Sequence, residues 1–340
     1  MKRLLGGAIA ATIALVVGSV GTGAQSSSNA AAETHIAAAK KAAGTDWDGV
    51  FNTTCRPAAP AAPAAARGAA PARPAGPPDR STWHAEPAKV FDNLYFLGQT
   101  EYSVWAVNTS AGIIVIDTIF DYSVEDEVVG GLKKLGLDPA QIKYAIVSHG
   151  HGDHSGGAKY LQDHFNTHVI LSAADWDLLD RSTGTKPRRD MVATDGMKLT
   201  LGDTTLTMYL TPGHTLGTIS TLIPVKDHGQ PHLVAEWGGT AFNWLNNGGG
   251  AYITPERPAK FWFQSYIDSA KRFRDIAAKE GADVIIANHT IFDGSKTKLP
   301  ALQTRKAGDP NPYVVGKEGV LRYLTVAEEC AEAGLLKVSK

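Results

Sequence analysis

Four side chains that can bind a metal ion lie within six consecutive residues of this sequence. The apolar run at residues 144–148 predicts a strand, and it is followed directly by His149, His151, Asp153 and His154. Imidazole and carboxylate are ligands that suit Zn²⁺, and a loop at the carboxyl end of a strand can open to solvent. Burying these groups so close together is costly without a cation. The spacing therefore predicts a metal site at this loop.

The His-x-His-x-Asp-His motif at residues 149–154 resembles the signature of the metallo-β-lactamase superfamily. Residues 211–218 are similar to the Pro-Gly-His-Thr segment of that family, with His214 in the ligand position, and His289 follows an apolar strand as the last ligand of the family does. The resemblance covers about residues 91–292. It implies an α/β protein with a four-layer αβ/βα sandwich.

The resemblance also implies a cofactor of two zinc ions per chain. The expected ligands are His149, His151 and His214 for the first zinc, and Asp153, His154 and His289 for the second. Asp117, which ends an earlier apolar run, is expected to support the metal loop from behind. A simpler interpretation of Asp117 is a cap on backbone amides at the end of its strand.

The segment after the third histidine distinguishes the subgroups of this superfamily. Many of its hydrolases place a bridging Asp there, and the first lactamase subclass has Cys in a Gly-Gly-Cys sequence. Here residues 236–240 are Glu-Trp-Gly-Gly-Thr, which aligns Thr240 with that position. The second zinc is then expected to rely on His154, as in the third lactamase subclass.

The implied activity is metal-dependent hydrolysis of a small-molecule substrate. Two zinc ions would supply a nucleophilic hydroxide, which Asp153 would orient. A β-lactam amide is the expected substrate, with antibiotic resistance as the consequence. A lactone, thioester or other ester is the alternative within the same site, and a non-catalytic zinc-binding protein is the alternative of a different class. The fold does not rank these activities, since many share it.

Two residues outside the ligand set are candidates for substrate contacts. Thr240 offers a hydroxyl, and Lys296 offers a cation for a substrate carboxylate, although a solvated surface lysine is the simpler interpretation. Residues 243–255 contain three consecutive glycines and predict either a mobile flap near the site or an ordinary loop. Residues 288–293 lack the His-Pro-Gly that commonly follows the last ligand in lactamases of this subclass.

The histidines outside the motifs show no ligand spacing. They are interpreted as surface or packing residues, and they are His35, His84, His164, His168, His228 and His232.

The N-terminus has the layout of a secretory signal peptide. Two basic residues precede an apolar stretch at residues 4–17, and small residues lead to a cleavage site expected near Ala24. The stretch is too short for a comfortable membrane span. We therefore expect a periplasmic or secreted protein with no membrane attachment after cleavage. In that compartment Cys55 and Cys330 are expected to form a disulfide, with two unrelated thiols as the alternative.

Composition changes along the chain indicate four parts. They are a signal peptide at 1–24, an N-terminal segment at 25–55, an Ala/Pro-rich linker at 56–80, and a catalytic domain at 81–340. The N-terminal segment is predicted to contain a helix at residues 33–43 and an irregular stretch at 46–55. In the catalytic domain, strand patterns alternate with helical ones in two halves, which indicates two facing sheets with helices outside.

The overall composition is that of a globular protein without a nucleic-acid partner. Of 340 residues, 43% are hydrophobic, and 33 basic against 34 acidic side chains leave a formal charge of −1. This balance removes the general attraction to phosphate that nucleic-acid binders show. The sequence leaves the oligomeric state open.

Overall fold

The computed structural model describes residues 20–55, 76–245 and 252–339, with side chains from residue 29 onward. Most of the expected signal peptide and most of the expected linker lie outside these described residues. Within them, no helix is both long enough and apolar enough to cross a bilayer.

The first half of the chain after residue 80 forms a sheet in which the described strands lie side by side in sequence order. They are β1 (Ala88–Lys89), β2 (Leu94–Phe96), β3 (Trp105–Thr109), β4 (Gly112–Ile116), β5 (Ile142–Ile146), β6 (His168–Ser172) and β7 (Met191–Ala193). Neighbours from β1 to β4 are antiparallel, and those from β4 to β7 are parallel. The parallel half needs helical crossovers, and these cover its outer face.

The second half forms another sheet, with the described strands in the order β12, β11, β10, β9, β8. They are β8 (Met197–Leu201), β9 (Thr204–Leu210), β10 (Ile219–Asp227), β11 (Gln230–Trp237) and β12 (Val284–Ala287). All neighbours are antiparallel except β11 and β12, which are parallel. Parallel strands must be joined by a crossover, and a long helix makes this one.

The helices in the described residues belong to the two outer faces and to the site. They are α1 (Val20–Ala43), α2 (Asp48–Thr54), α3 (Gly130–Lys134), α4 (Gly152–Ser155), α5 (Ala158–Phe165), α6 (Ala173–Arg181), α7 (Ala259–Glu280), α8 (Ser295–Thr304) and α9 (Gly316–Val338). The crossover α7 ends at Gly281, whose φ of 80° allows its N–H to bond back to Ala277.

Three apolar layers separate the two sheets and the helices. In β11, Val234 packs into the cluster between the sheets, and its neighbour Ala235 packs into the cluster under α7 and α9. This is the two-residue alternation of a strand buried on both faces. A further cluster, with Val115 and Leu161, lies between the first sheet and α3 and α5. The expected α/β sandwich of two sheets with helices outside is confirmed.

The structure differs from expectation in the N-terminal segment. The predicted helix at 33–43 is the end of the longer α1, and the stretch expected to be irregular contains α2. That prediction was wrong because the buried residues of α2, Val50, Phe51 and Thr54, gain their packing partners only from distant parts of the chain. The expected disulfide between Cys55 and Cys330 is present.

The fold brings the ends of several strands to one edge of the sandwich. Asp117 follows β4, His149 follows β5, Gly238 follows β11 and Asn288 follows β12. Since β4 and β5 are parallel, as are β11 and β12, their carboxyl ends meet there. The loop from β9 to β10, with His214, joins the same edge.

Candidate metal centre

The loop after β5 carries four of the predicted ligands in a tight turn. His151 is extended, with φ −78° and ψ 151°, and precedes the single turn of α4. That turn places Asp153 and His154 beside one another. The carbonyl of His154 accepts hydrogen bonds from the backbone N–H and the hydroxyl of Thr118, each at 2.8 Å. The loop is therefore held against the end of β4.

Three histidines converge on a first point. Nε2 of His214 lies 3.0 Å from Nε2 of His149 and 3.2 Å from Nδ1 of His151. Zinc bonds nitrogen at about 2.0–2.1 Å, so two nitrogens in a tetrahedral site lie about 3.3 Å apart. We call these residues the first trio, and their nitrogens are spaced as zinc ligands would be.

Asp153, His154 and His289 converge on a second point beside it. Nε2 of His154 lies 3.2 Å from Nε2 of His289 and 3.2 Å from Oδ2 of Asp153. The remaining distance, from His289 Nε2 to Asp153 Oδ2, is 3.6 Å. We call these residues the second trio. The structure thus brings the six predicted ligands together, and their assignment to two separate zinc ions stays a prediction.

The opposite nitrogen of four of these histidines faces a hydrogen-bond partner. Nδ1 of His149 lies 2.9 Å from the Gly238 carbonyl, and Nδ1 of His214 lies 2.6 Å from the Ala241 carbonyl. A carbonyl can only accept, so in both rings Nδ1 carries the proton and the lone pair on Nε2 points into the trio.

The other two of these histidines are oriented in the same way. Nδ1 of His154 lies 2.8 Å from the Asp117 carboxylate, and Nε2 of His151 contacts the Tyr252 hydroxyl. Histidine ligands in metalloproteins are held by such outer contacts. This arrangement fits a metal cofactor, because the Nε2 lone pairs of His149 and His214 face one another at 3.0 Å, where a cation can bind both.

Burial keeps most of the histidines neutral. It lowers the pKa of His149 well below its usual value, that of His151 to about 3, that of His214 to about 4 and that of His289 to about 3. A neutral imidazole is the form that binds metal, so these rings need lose no proton to do so at neutral pH.

His154 differs because it lies between two carboxylates. Burial alone would lower its pKa, but Asp153 and Asp117 outweigh burial and raise the pKa to about 10. Burial would likewise raise the pKa of Asp153, but His154 and His289 hold it below its usual value. The two carboxylates thus favour positive charge at this point, which a divalent cation would supply while releasing the proton of His154.

Asp117 is fixed by its backbone as well as by its contacts. Its φ is +63°, and its Oδ1 accepts a 2.7 Å hydrogen bond from the Ser148 amide. Aspartate is among the residues that tolerate this left-handed conformation. Both interpretations of Asp117 from sequence therefore hold together, because one oxygen caps a backbone amide and the other contacts His154.

Asp175, at the start of α6, was missed by sequence analysis. It is buried, and its carboxylate accepts hydrogen bonds from the amides of Gly150 at 2.8 Å and Gly217 at 3.1 Å and from the Thr215 hydroxyl at 2.8 Å. It therefore joins the β5 loop to the loop that carries His214. Burial raises its pKa to about 6. No motif in the sequence distinguishes Asp175 from the other acidic residues of the chain.

Two polar residues of the segment predicted as a flap near the site lie beside the first trio, and the sequence assigned neither of them a role. Asn243 directs its side-chain amide toward His214 Nε2 at 3.4 Å and His151 Nδ1 at 3.5 Å. Tyr252 contacts His151 and packs edge-on against Trp262. Both lie in the Gly-rich segment 243–255, in which residues 246–251 are outside the described part. Which side chains of the segment contact the ligands is decided by tertiary packing, and the segment's composition does not encode it.

A cleft of about 520 Å³ lies next to Tyr252. Its apolar lining includes Leu178, Leu216 and Trp262, and Arg181 and Arg257 also border it. A ligand in this cleft would lie close to the first trio, since Tyr252 contacts both the cleft and His151.

The two predicted substrate contacts have partners of their own in the structure. Thr240 is 1% exposed, and its hydroxyl is 3.3 Å from that of Tyr323. In this arrangement it is not presented to a substrate. Lys296 is at the surface, where its ammonium pairs with Glu101. This matches the simpler interpretation of Lys296, and substrate contact by either residue stays a prediction.

Several of the histidines outside the trios form ion pairs with acidic side chains. His35 pairs with Glu329 at 2.6 Å, and His232 pairs with Asp283 at 2.7 Å. Among the described residues, two groups of side chains are spaced to hold a metal: the first trio, and His149 with Asp153 and His154, a group that spans both trios.

Comparison with known proteins agrees with this geometry. Residues 97–228 match the sequence model of the Metallo-beta-lactamase superfamily. Among curated proteins, an N-acyl homoserine lactonase of a Bacillus species is 28% identical over 172 residues, which are 49% of this chain and 63% of the lactonase. The alignment therefore spans less than two thirds of that relative. N-acyl homoserine lactonase AttM of Azorhizobium caulinodans is 27% identical over 55% of this chain and 73% of that protein.

Solved structures give similarity over more of the chain. BJP-1, a subclass B3 metallo-β-lactamase of Bradyrhizobium japonicum, superimposes with a TM-score of 0.58 at 26% identity, covering 72% of this chain and 91% of that one. The native FEZ-1 metallo-β-lactamase of Legionella gormanii gives a TM-score of 0.61 at 24% identity, covering 71% and 91%. The second likeness shows the fold alone.

Proposed function

Because this chain carries a metallo-β-lactamase superfamily domain, whose members are metal-dependent hydrolases, we propose that it is an exported hydrolase with two zinc ions that opens the amide of a β-lactam ring. The observation that carries the proposal is the composition of the second trio. Asp153, His154 and His289 supply it without any Asp or Cys from the loop after β11. This is the ligand set expected for the third lactamase subclass, and BJP-1 belongs to subclass B3.

The residues of this chain have separate roles in the proposed reaction. Zinc, when bound, lowers the pKa of a coordinated water toward neutrality and polarises a carbonyl group. The carboxylate of Asp153 is ionised at neutral pH, so it can accept a hydrogen bond from the attacking water and orient it. The amide of Asn243 is placed to donate to a substrate oxygen beside the first trio.

Tyr252 is a second donor in this proposal. If Nδ1 of His151 binds metal, its Nε2 carries the proton and donates to the Tyr252 oxygen, which leaves the phenolic O–H free to donate to a substrate. Burial raises the pKa of Tyr252 to about 12, so the phenol keeps its proton at neutral pH. The apolar side of the cleft would hold the ring system of the substrate away from water.

The experiment that tests this proposal uses the mature protein beginning near residue 25. Hydrolysis of nitrocefin and imipenem is measured with and without EDTA, together with zinc content by elemental analysis. We expect two zinc ions per chain and turnover that EDTA abolishes and added zinc restores. Absence of β-lactam turnover in a protein that holds two zinc ions would exclude this substrate class.

A lactone is the second candidate substrate, favoured by the N-acyl homoserine lactonases among the relatives. The expected bridging Asp after β11 is absent here, which counts against it. N-acyl homoserine lactones with short and long acyl chains are therefore included in the same assay, with ring opening followed by proton release. Lactone turnover without β-lactam turnover would establish this candidate. Zinc binding without either activity would favour a non-catalytic zinc protein.

Export is part of the proposal. The expected signal peptide, the cleavage near Ala24 and the linker at 56–80 would deliver a catalytic domain to the periplasm or medium. The disulfide between Cys55 and Cys330 supports this, because such bonds persist in oxidising compartments. N-terminal sequencing of the protein recovered from a periplasmic fraction tests it, and an intact Met1 in a cytoplasmic fraction would contradict it.

A further inference from the structure

The N-terminal segment, residues 29–55, is built into the helical layer beside the metal centre. α1 and α2 pack on α9, and the disulfide joins Cys55, just after α2, to Cys330 in α9. Trp47, Val50 and Phe51 are fully buried in the cluster that also contains residues of α7 and α9. A segment packed as densely as this cannot shift without displacing the residues that it contacts.

The segment touches the loop that carries His289. A Cβ atom added to Gly49 in α2 would lie 1.9 Å from the carbonyl oxygen of Ile291, which is two residues after His289. The conformation of Gly49 is one that any residue adopts, so glycine is required for space alone. The backbone of α2 therefore lies directly against the loop and limits how far His289 can move toward it.

A second, longer path reaches the loop after β11. Trp47 packs edge-on against Tyr323 with ring centres 5.3 Å apart, and the Tyr323 hydroxyl is 3.3 Å from that of Thr240. The carbonyl of the next residue, Ala241, faces His214. The N-terminal segment thus contacts the loop of His289 directly, and it reaches the loop after β11, whose Ala241 carbonyl faces His214, through the ring of Tyr323.

We propose that the N-terminal segment positions the metal centre. The disulfide between Cys55 and Cys330 holds the segment in place for this role. With α2 tied to α9, the loop after β12 is held so that His289 faces Asp153 and His154. The second trio depends on this support more than the first, because the Gly49 contact is direct. This inference rests on the proposed dinuclear site, and it assigns a function to a part of the chain outside the matched domain.

The test is a zinc titration of the mature protein against a competing chelator, which resolves two dissociation constants. Gly49→Ala introduces a methyl group against Ile291, and Asn52→Ala, at an exposed position of the same helix, is the matched control. Disturbing a residue that orients a metal ligand costs about 10–100-fold in affinity. We expect that loss for the second zinc in Gly49→Ala, with the first zinc unchanged, and wild-type values in Asn52→Ala.

Two further variants test how the N-terminal segment acts on the affinity for the second zinc. In a His289→Ala background, Gly49→Ala should cause no additional loss, since both act through the same ligand. The double variant Cys55→Ser with Cys330→Ser should weaken the second zinc in the same direction, and it decides the matter if Gly49→Ala does not fold. Circular dichroism and thermal unfolding of each variant separate loss of zinc from loss of structure.

The outcomes distinguish this inference from the proposed function. A wild-type protein that binds fewer than two zinc ions contradicts the dinuclear site itself. The positioning role is overturned if the wild type binds two zinc ions and the folded Gly49→Ala and disulfide-free variants bind them with the same two dissociation constants. That result would leave the dinuclear site intact.

Discussion

The carboxylate of Asp117 lies 2.8 Å from Nδ1 of His154, while Asp153 approaches Nε2 of the same ring at 3.2 Å. The ring is thus held between two acids, one that orients it and one that shares its proposed metal. Because Asp117 also bonds the Ser148 amide, the orientation of the ring is tied to the backbone at the end of β5.

Replacing Asp117 should weaken the second zinc selectively. In Asp117→Asn the side chain keeps its shape, and asparagine tolerates the φ of 63° at this position. The variant removes only the negative charge that faces His154. Loss of such an outer contact costs about 10–100-fold in metal affinity. Chelator competition measures this, and Asp121→Asn, at an exposed site nearby, is the control. Equal loss of both zinc ions would argue that Asp117 supports the whole loop and not His154 in particular.

Tyr252→Phe should lower turnover without loss of metal. The variant keeps the packing against Trp262 and removes only the hydroxyl that contacts His151. One hydrogen bond contributes about 0.5–1.5 kcal/mol, so we expect kcat/KM to fall about 2–13-fold. Zinc content should remain that of the wild type, and Tyr144→Phe serves as the control. Unchanged kcat/KM would exclude the phenol as a donor to the substrate.

Acid stability should depend on the pair between Asp227 and Arg305. The two guanidinium contacts, at 2.6 and 2.8 Å, lower the pKa of Asp227 in the folded state. A lowered pKa means that this stabilisation is present above the unfolded value, about 3.9, and is lost as the pH falls through the folded value. Asp227→Asn should therefore lower the melting temperature at pH 7 and flatten its decline below about pH 4.

An exposed pair provides the control for that measurement. Asp177 and Arg189 also form an ion pair at 2.8 Å, but their side chains are 56% and 43% exposed. Exposed pairs contribute about 0–1 kcal/mol, so Asp177→Asn should leave the pH profile nearly unchanged. Similar profiles for the two variants would show that the Asp227 pair has no special role.

Removing the disulfide should destabilise the protein even without metal. The bond closes a loop with a sequence separation of 275, and loss of a native disulfide typically costs about 2–5 kcal/mol. Urea unfolding of the metal-free double Cys→Ser variant should give a lower midpoint. Metal-free protein is used because bound zinc stabilises the folded state by mass action. An unchanged midpoint would mean that packing of α1 and α2 on α9 suffices.

Prediction from the sequence was most successful where function depends on local spacing. The order of strands and helices after residue 80 follows the apolar patterns of the sequence, as in β9 (Thr204–Leu210). The ligands of the β5 loop could be identified because one short turn places them together. The short strand β7 and the helices α6 and α8 were not predicted, since their patterns are brief and their burial comes from other parts of the fold.

The sequence by itself determined which residue types could hold a metal, where the chain is apolar enough to form strands, and that two cysteines were available to pair. Only the tertiary structure decided what surrounds those groups. Asp175, Asn243 and Tyr252 reach the centre from loops and a helix start far apart in sequence, and Thr240 is directed at Tyr323 through packing of α9. Side-chain direction and contact between distant segments depend on how the layers pack, and no local pattern records that.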